Sequence, residues 1–194
     1  MIRPDLVNSV GVVSRGEAED ERRDAIDARV RTTIRYADPA AWITATAAAA
    51  TLAPVRDVIA TSRHGVGVLT VSQDGPAETM AVVGQAAAEG ISSPLRYPAA
   101  NPGSLAGVLC IAFGLRGPAL NLTMPPGHAV PVAIQAASGW LERQVMPLLL
   151  VAACSRVAQG HRARCLLLSR RVDPRWPARP LSESEAEWLA SVDE

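Results

Sequence analysis

The stretch Phe113–Ala137, "FGLRGPALNLTMPPGHAVPVAIQAA", leads from an apolar helix through Gly-Pro into a short apolar strand and on into a second apolar helix. A turn between strand and helix is where many enzymes expose a nucleophile. Here that turn reads Met124-Pro125-Pro126-Gly127-His128, with neither Cys nor Ser on it. The helices on either side, Leu105–Phe113 and about Ala129–Leu141, are apolar on nearly all sides, and such helices are buried all round or lie in a membrane. Their shortness, and Pro131 and Gln135 in the second, favour burial.

Outward from this segment, strands and helices alternate. "VNSVGVV" (Val7–Val13), "GVGVLTVS" (Gly65–Ser72), Ala119–Met124, Leu148–Ala152 and Cys165–Leu168 read as strands. "ADPAAWITATAAAATLAP" reads as a helix capped by Asp38, opened by Pro39 and stopped by Pro54. A further helix starts at Pro76 and ends near Gly90, and the three prolines of Ile91–Ser104 mark a loop. "LSESEAEWLASV" closes the chain with a capping-box helix, Ser182 with Glu185. Alternation of this kind argues an α/β fold, and helices apolar all round suggest layered sheets with buried central helices. The expectation is one domain over residues 1–194, with 15–36 as an exposed excursion and 181–194 as a C-terminal helix.

Composition narrows the function. Of 194 residues, 48% are hydrophobic, but only one Phe, two Tyr and four Trp are aromatic, so the core is built from Ala, Val, Leu and Ile. All 19 basic residues are Arg, balanced by 19 acids, so no net field steers the chain to nucleic acid or a membrane surface. The balance is uneven along the chain: Arg156–Arg179 holds seven Arg against one Asp, and Glu183–Glu194 has five acids and no base. The three cysteines, Cys110, Cys154 and Cys165, sit in or beside apolar runs and read as reduced core thiols of a cytoplasmic protein. No signal-peptide layout opens the chain, and no apolar run reaches membrane-span length. A phosphate loop needs a Lys that this chain lacks, and "GVGVLT" misses the third glycine of a dinucleotide fingerprint. "PGSLAG" around Ser104 has the wrong glycine spacing for a nucleophile elbow, and His64, His128 and His161 have no metal-ligand spacing. No metal or cofactor is expected.

The run "SPLRYPAANPGSLAGVLCIAFGLRGPALNLT", Ser93–Thr123, resembles the β-ketoacyl synthase family in the N-terminal half of its thiolase-like fold. It carries in order Ser93-Pro94, Pro98, Asn101, Ala106-Gly107 and the "FGLRGP" turn of Phe113–Pro118. Weaker likeness, in "VNSVGVVSRG" and "AIQAASGWLERQVMPLLLVAAC", extends it over most of residues 7–154. By the family's spacing from its Gly-Pro pair, the nucleophilic cysteine falls at Pro126, and a slip of one reaches Pro125 or Gly127. The family's two catalytic histidines belong to a C-terminal half that these residues do not include. The resemblance therefore implies the scaffold without the reaction: a truncated subunit of chain-length-factor type, paired with an active ketosynthase in polyketide (polyene) or fatty-acyl elongation.

It further implies that the strand Ala119, Leu120, Asn121, Leu122, Thr123, Met124 forms the dimer interface, and that Leu95 and Arg96 reach the partner's acyl pocket. Read as residues alone, His128 is a helix-start residue or a surrogate base, and Leu95 and Arg96 decorate a loop or line a pocket. The arginines Arg162, Arg164, Arg170, Arg171 and Arg175 form a solvated face or dock an acidic acyl carrier protein. Two other classes stay open: a free-standing scaffold protein with a degenerate fold, and a thioester-processing enzyme using His128.

Overall fold

A computed structural model describes residues 9–61, 65–171, 173 and 175–194. In chain order the elements are β1 (Val10–Ala18), α1 (Ala28–Thr33), α2 (Pro39–Leu52), α3 (Arg56–Thr61), β2 (Val66–Val71), α4 (Ala77–Ala88), α5 (Ser104–Phe113), β3 (Ala119–Leu122), α6 (Pro126–Glu142), β4 (Leu148–Val157), β5 (Gly160–Arg170), β6 (Arg179–Pro180) and α7 (Glu183–Ala190). One six-stranded sheet takes the order β3-β2-β4-β5-β1-β6. β2 runs parallel to β3 and β4, whereas β5 is antiparallel to both β4 and β1.

Strands buried on both faces need no polar alternation. Accordingly β2 is buried throughout, as is β4 from Leu148 to Ser155. Period-two alternation sends Val68, Leu150, Cys165 and Leu167 to one core, under α2 and α5. Leu69, Val151, Leu166 and Leu168 go to the other, under α6 and α7. The result is three layers, helix on sheet on helix.

Four expectations need correction. The helix buried on every side is α2, not α5 or α6: Ile111 of α5 is 51% exposed and Val132 of α6 is 46% exposed. In α2 only Pro39 and Ala50 escape full burial. Its threonines look polar in sequence, but Thr44, Thr46 and Thr51 donate to the carbonyls of Ala40, Trp42 and Ala47 one turn back, so none needs water. Its small side chains let the helix settle onto β1, where a Cβ on Gly16 would lie 2.7 Å from the Ala47 carbonyl oxygen.

Residues 15–36 are only partly an exposed excursion, because Arg15–Ala18 complete β1 and Ile26 and Ile34 are buried. Of the predicted first strand, Val7 and Asn8 lie outside the described residues. The strand from Ala119 stops at Leu122, leaving Thr123 and Met124 in the turn, and α6 starts at Pro126 rather than Ala129. Proline suits the first helical position because its missing N–H has no intrahelical role there. Finally, the strands read at Leu148–Ala152 and Cys165–Leu168 are longer, Leu148–Val157 and Gly160–Arg170, and form a hairpin with Gly160 at φ +134° closing the turn.

Candidate functional site: the open edge and the β3–α6 turn

The site grows from "FGLRGP". Gly114 ends α5 in the left-handed region, φ 63°, which favours glycine. Gly117 crosses the backbone of β2 so closely that an added Cβ would lie 2.4 Å from the carbonyl oxygen of Val66. That crossing feeds Pro118 into the ladder, where its carbonyl accepts from the Val68 N–H at 2.9 Å. At the other end the Leu122 carbonyl accepts from Ser72 N–H at 3.1 Å.

Successive residues of a strand turn their backbone groups to opposite sides, so if Pro118 and Leu122 face β2, Ala119 and Asn121 face outward. β3 ends the strand order, and among the described residues no strand neighbours this side. Natural edges are blunted by Lys, Pro or bulges; β3 carries none of these between Ala119 and Leu122. Its side chains are held in place. Leu120 and Leu122 pack on the core beside α6, and Asn121 accepts from Thr70 Oγ1 at 2.6 Å and donates to Thr123 Oγ1 at 3.1 Å.

Beyond β3, Met124 is exposed and Pro125 is the N-cap of α6. The N–H groups of His128 and Ala129 both turn back to the Pro125 carbonyl, at 3.0 and 2.9 Å. Two prolines in succession remove two backbone donors from the start of the helix, so this end is a poor oxyanion hole. His128 is exposed, and among the described residues no hydrogen bond orients its ring. His161 is buried on β5, and His64 lies outside the described residues. Among the described residues no group of three His, Cys, Asp or Glu is placed to hold a metal ion.

Leu95 and Arg96 lie on a different element, the loop ahead of α5. Leu95 is 60% exposed and its neighbour Tyr97 73%. The Arg96 guanidinium sits 5.9 Å from the centre of the Tyr36 ring, which also receives Arg35 at 4.8 Å. The helix expected from Pro76 to near Gly90 is α4, Ala77–Ala88, and what the sequence did not show is how little of it is buried. In α4 only Thr79 is buried, leaving Met80 and Val82 open. The base of α4 is anchored by Asp38, whose carboxylate accepts from the N–H groups of Ala40 and Thr79 at 2.9 and 2.8 Å. Past its base the helix packs against the 3-10 turn Tyr97–Ala100.

The arginines of the C-terminal third are largely occupied within the chain. Arg156 pairs with Glu78, Arg162 with Glu19, Arg164 with Glu17, Arg175 with Asp173 and Arg179 with Glu185. The Arg175 guanidinium holds the Asp173 carboxyl below the ordinary carboxylate value, chiefly by hydrogen bonding. Arg170 is half-buried and Arg171 exposed at the end of β5.

The thiols are buried and unactivated. Cys154 and Cys165 approach the carbonyls of Ala40 and Thr44 at 3.7 and 4.0 Å. Burial pushes the Cys154 thiol up to about 12 and Cys165 up as well. Cys110 is half-buried and raised in the same direction. Under native conditions a maleimide should therefore modify at most Cys110, with Cys154 and Cys165 reacting only on unfolding. Mass spectrometry of labelled peptides checks this, and native labelling at either buried site would contradict the packing of α2.

Among the described residues no helix is long and apolar enough to cross a membrane. No protein-family model matches the chain, and no curated protein matches its sequence. Solved structures do match. The ishigamide ketosynthase/chain length factor superposes with a TM-score of 0.68 at 12% identity, over 88% of this chain and 64% of that one. A chain from the complex of the ketosynthase ApeO with its chain length factor ApeC, from Xenorhabdus doucetiae, gives 0.63 at 12% identity, over 94% of this chain and 92% of that one. The AntDE:AntF complex, a type II polyketide synthase acyl-carrier protein with its ketosynthase, gives 0.66 at 16% identity, over 84% and 63%. This chain thus spans under two thirds of the ishigamide and AntDE:AntF chains and nearly all of the ApeO–ApeC one. At such identities the shared property is the fold alone, a ketosynthase-like α/β fold.

Proposed function

Starting from a ketosynthase-like fold whose strand-to-helix turn holds no nucleophile, we propose that this chain is a non-catalytic subunit of chain-length-factor type. It pairs with a cysteine-bearing ketosynthase and helps wall the tunnel that receives a growing polyketide or fatty-acyl chain on a carrier protein. The single observation that carries the reading is the turn itself. An unpaired apolar edge, Ala119–Leu122, runs into Pro125-Pro126 where the resemblance asks for a thiol. The edge supports pairing, because its outward N–H and C=O groups can extend a partner's sheet. The exposed α4 arm, with Leu95 and Arg96 beyond it, supplies the surface that would reach across. The unoriented ring of His128 disfavours a thioester-processing role.

The test is chain elongation reconstituted with a carrier protein and ketosynthases from the same organism. This chain alone is expected to form no product, and its addition is expected to change the yield or length of the ketosynthase product. Leu95→Trp should then shift the product toward shorter chains without lowering stability, because Leu95 is exposed in the unpaired chain. Turnover by this chain alone, abolished in His128→Ala, would overturn the reading.

A further inference from the structure

A cavity lies away from both the open edge and the turn. It occupies about 710 Å³ between the 3-10 turn Arg23–Ala25, α1, the end of α2, α3 and the end of α5. Volumes of this size accommodate small organic ligands. Ile26, Leu52 and Ile59, all buried, form its floor, and Phe113 joins them from α5. Among the described residues no Ser, Thr, Asn, Gln, His or Tyr side chain lines it.

The polar lining consists of four charged side chains, Asp24, Asp27, Arg31 and Arg56. Both acids are committed. Asp24 accepts from Arg22 at 3.3 Å, which with a lesser contribution from Arg31 keeps its carboxyl below the ordinary value. Asp27 caps α1 by accepting the N–H of Arg29 at 2.8 Å. Arg31 and Arg56 have no ion pair among the described residues, in contrast to the paired arginines of β4 and β5. Two guanidiniums with no ion pair among the described residues therefore border an apolar floor, on a rim they share with the carboxylates of Asp24 and Asp27.

We propose that this cavity binds a linear amphipathic anion, an alkyl chain bearing a carboxylate. The chain would lie on Ile26, Leu52, Ile59 and Phe113, with the carboxylate on Arg31 and Arg56. Burying methylenes supplies the affinity and the guanidinium pair supplies the selection for a charged head. The site does not depend on pairing through β3, and it stands or falls separately from the proposed subunit role.

Decanoate and decanol, titrated calorimetrically into the full-length chain below their aggregation limits, provide the test. Decanoate should bind one saturable site, and decanol, with the same tail, at least about tenfold more weakly. The double variant Arg31→Gln/Arg56→Gln should lose about tenfold for decanoate and keep its unfolding midpoint, since both substitutions replace exposed or half-exposed groups. Ala60→Trp, which fills the cavity from its exposed wall, should block decanoate without touching a charge. Equal binding of acid and alcohol, unchanged affinity in the double variant, or no saturable binding would each overturn the proposal.

Discussion

Ala119→Pro should abolish association with a ketosynthase partner and leave the subunit folded. The carbonyls of Pro118 and Leu122 point into β2, so the Ala119 N–H points away from it, toward the unpaired side. Proline there removes one outward donor and sets its ring where a partner strand would lie, while the ladder to β2 keeps its bonds. The residue before a proline must be extended, which position 118 already is as the entry to β3. Affinity for the partner should fall at least about a hundredfold, with the unfolding midpoint within about 1 kcal/mol of wild type. Charged substitutions at Leu120 or Leu122 are less clean, because both side chains pack on the core next to α6. Calorimetric titration of the partner together with denaturant unfolding checks both halves of the expectation. Undiminished binding would move the interface elsewhere.

Arg164→Ala should be the most costly arginine substitution, about 2–4 kcal/mol, whereas Arg162→Ala should cost less than about 1 kcal/mol. The two stand two residues apart on β5 and each pairs with a glutamate of the β1 end at 2.7 Å. Their surroundings differ. Glu19 is 61% exposed, so its pair with Arg162 is screened, while Glu17 is 38% exposed. Arg164 also donates to the carbonyls of Trp188 and Ser191 at 2.6 and 2.9 Å, capping the C-terminal end of α7, and lies 5.3 Å from the Trp188 ring. Removing it leaves helix-end carbonyls without their donor and loosens α7 from the sheet. Denaturation midpoints of the two variants give the comparison directly. Equal small losses would mean that Arg164 is a surface charge after all.

Most of the scaffold is legible in local sequence because local rules act on it. β2 and β4 are apolar runs with no alternation, Asp38-Pro39 opens α2, and Ser182 with Glu185 forms the reciprocal cap of α7. Gly114 and Gly117 stand where the left-handed cap and the backbone crossing require them. What escapes is set by partners far along the chain. Hydropathy alone makes α5 look more buried than α2, whose threonines hide their hydroxyls on their own helix. The pairing of Arg164 with Glu17 spans 147 residues, and no local pattern announces it. The period-two alternation of His161-Arg162-Ala163-Arg164-Cys165 carries the outer part of β5, ahead of the strand read at Cys165–Leu168. Within the candidate site, the absence of a thiol on the turn is visible in the residues themselves. That β3 lies at the sheet edge becomes visible only once the strands are ordered.

The central claim is that this chain completes itself against a ketosynthase, and the mass of the co-expressed species tests it most directly. Co-expression with ketosynthases of the same organism, followed by size-exclusion chromatography with light scattering, should give a stoichiometric heterodimer that Ala119→Pro dissociates. A well-behaved monomer, eluting unchanged with every ketosynthase supplied, would contradict the account.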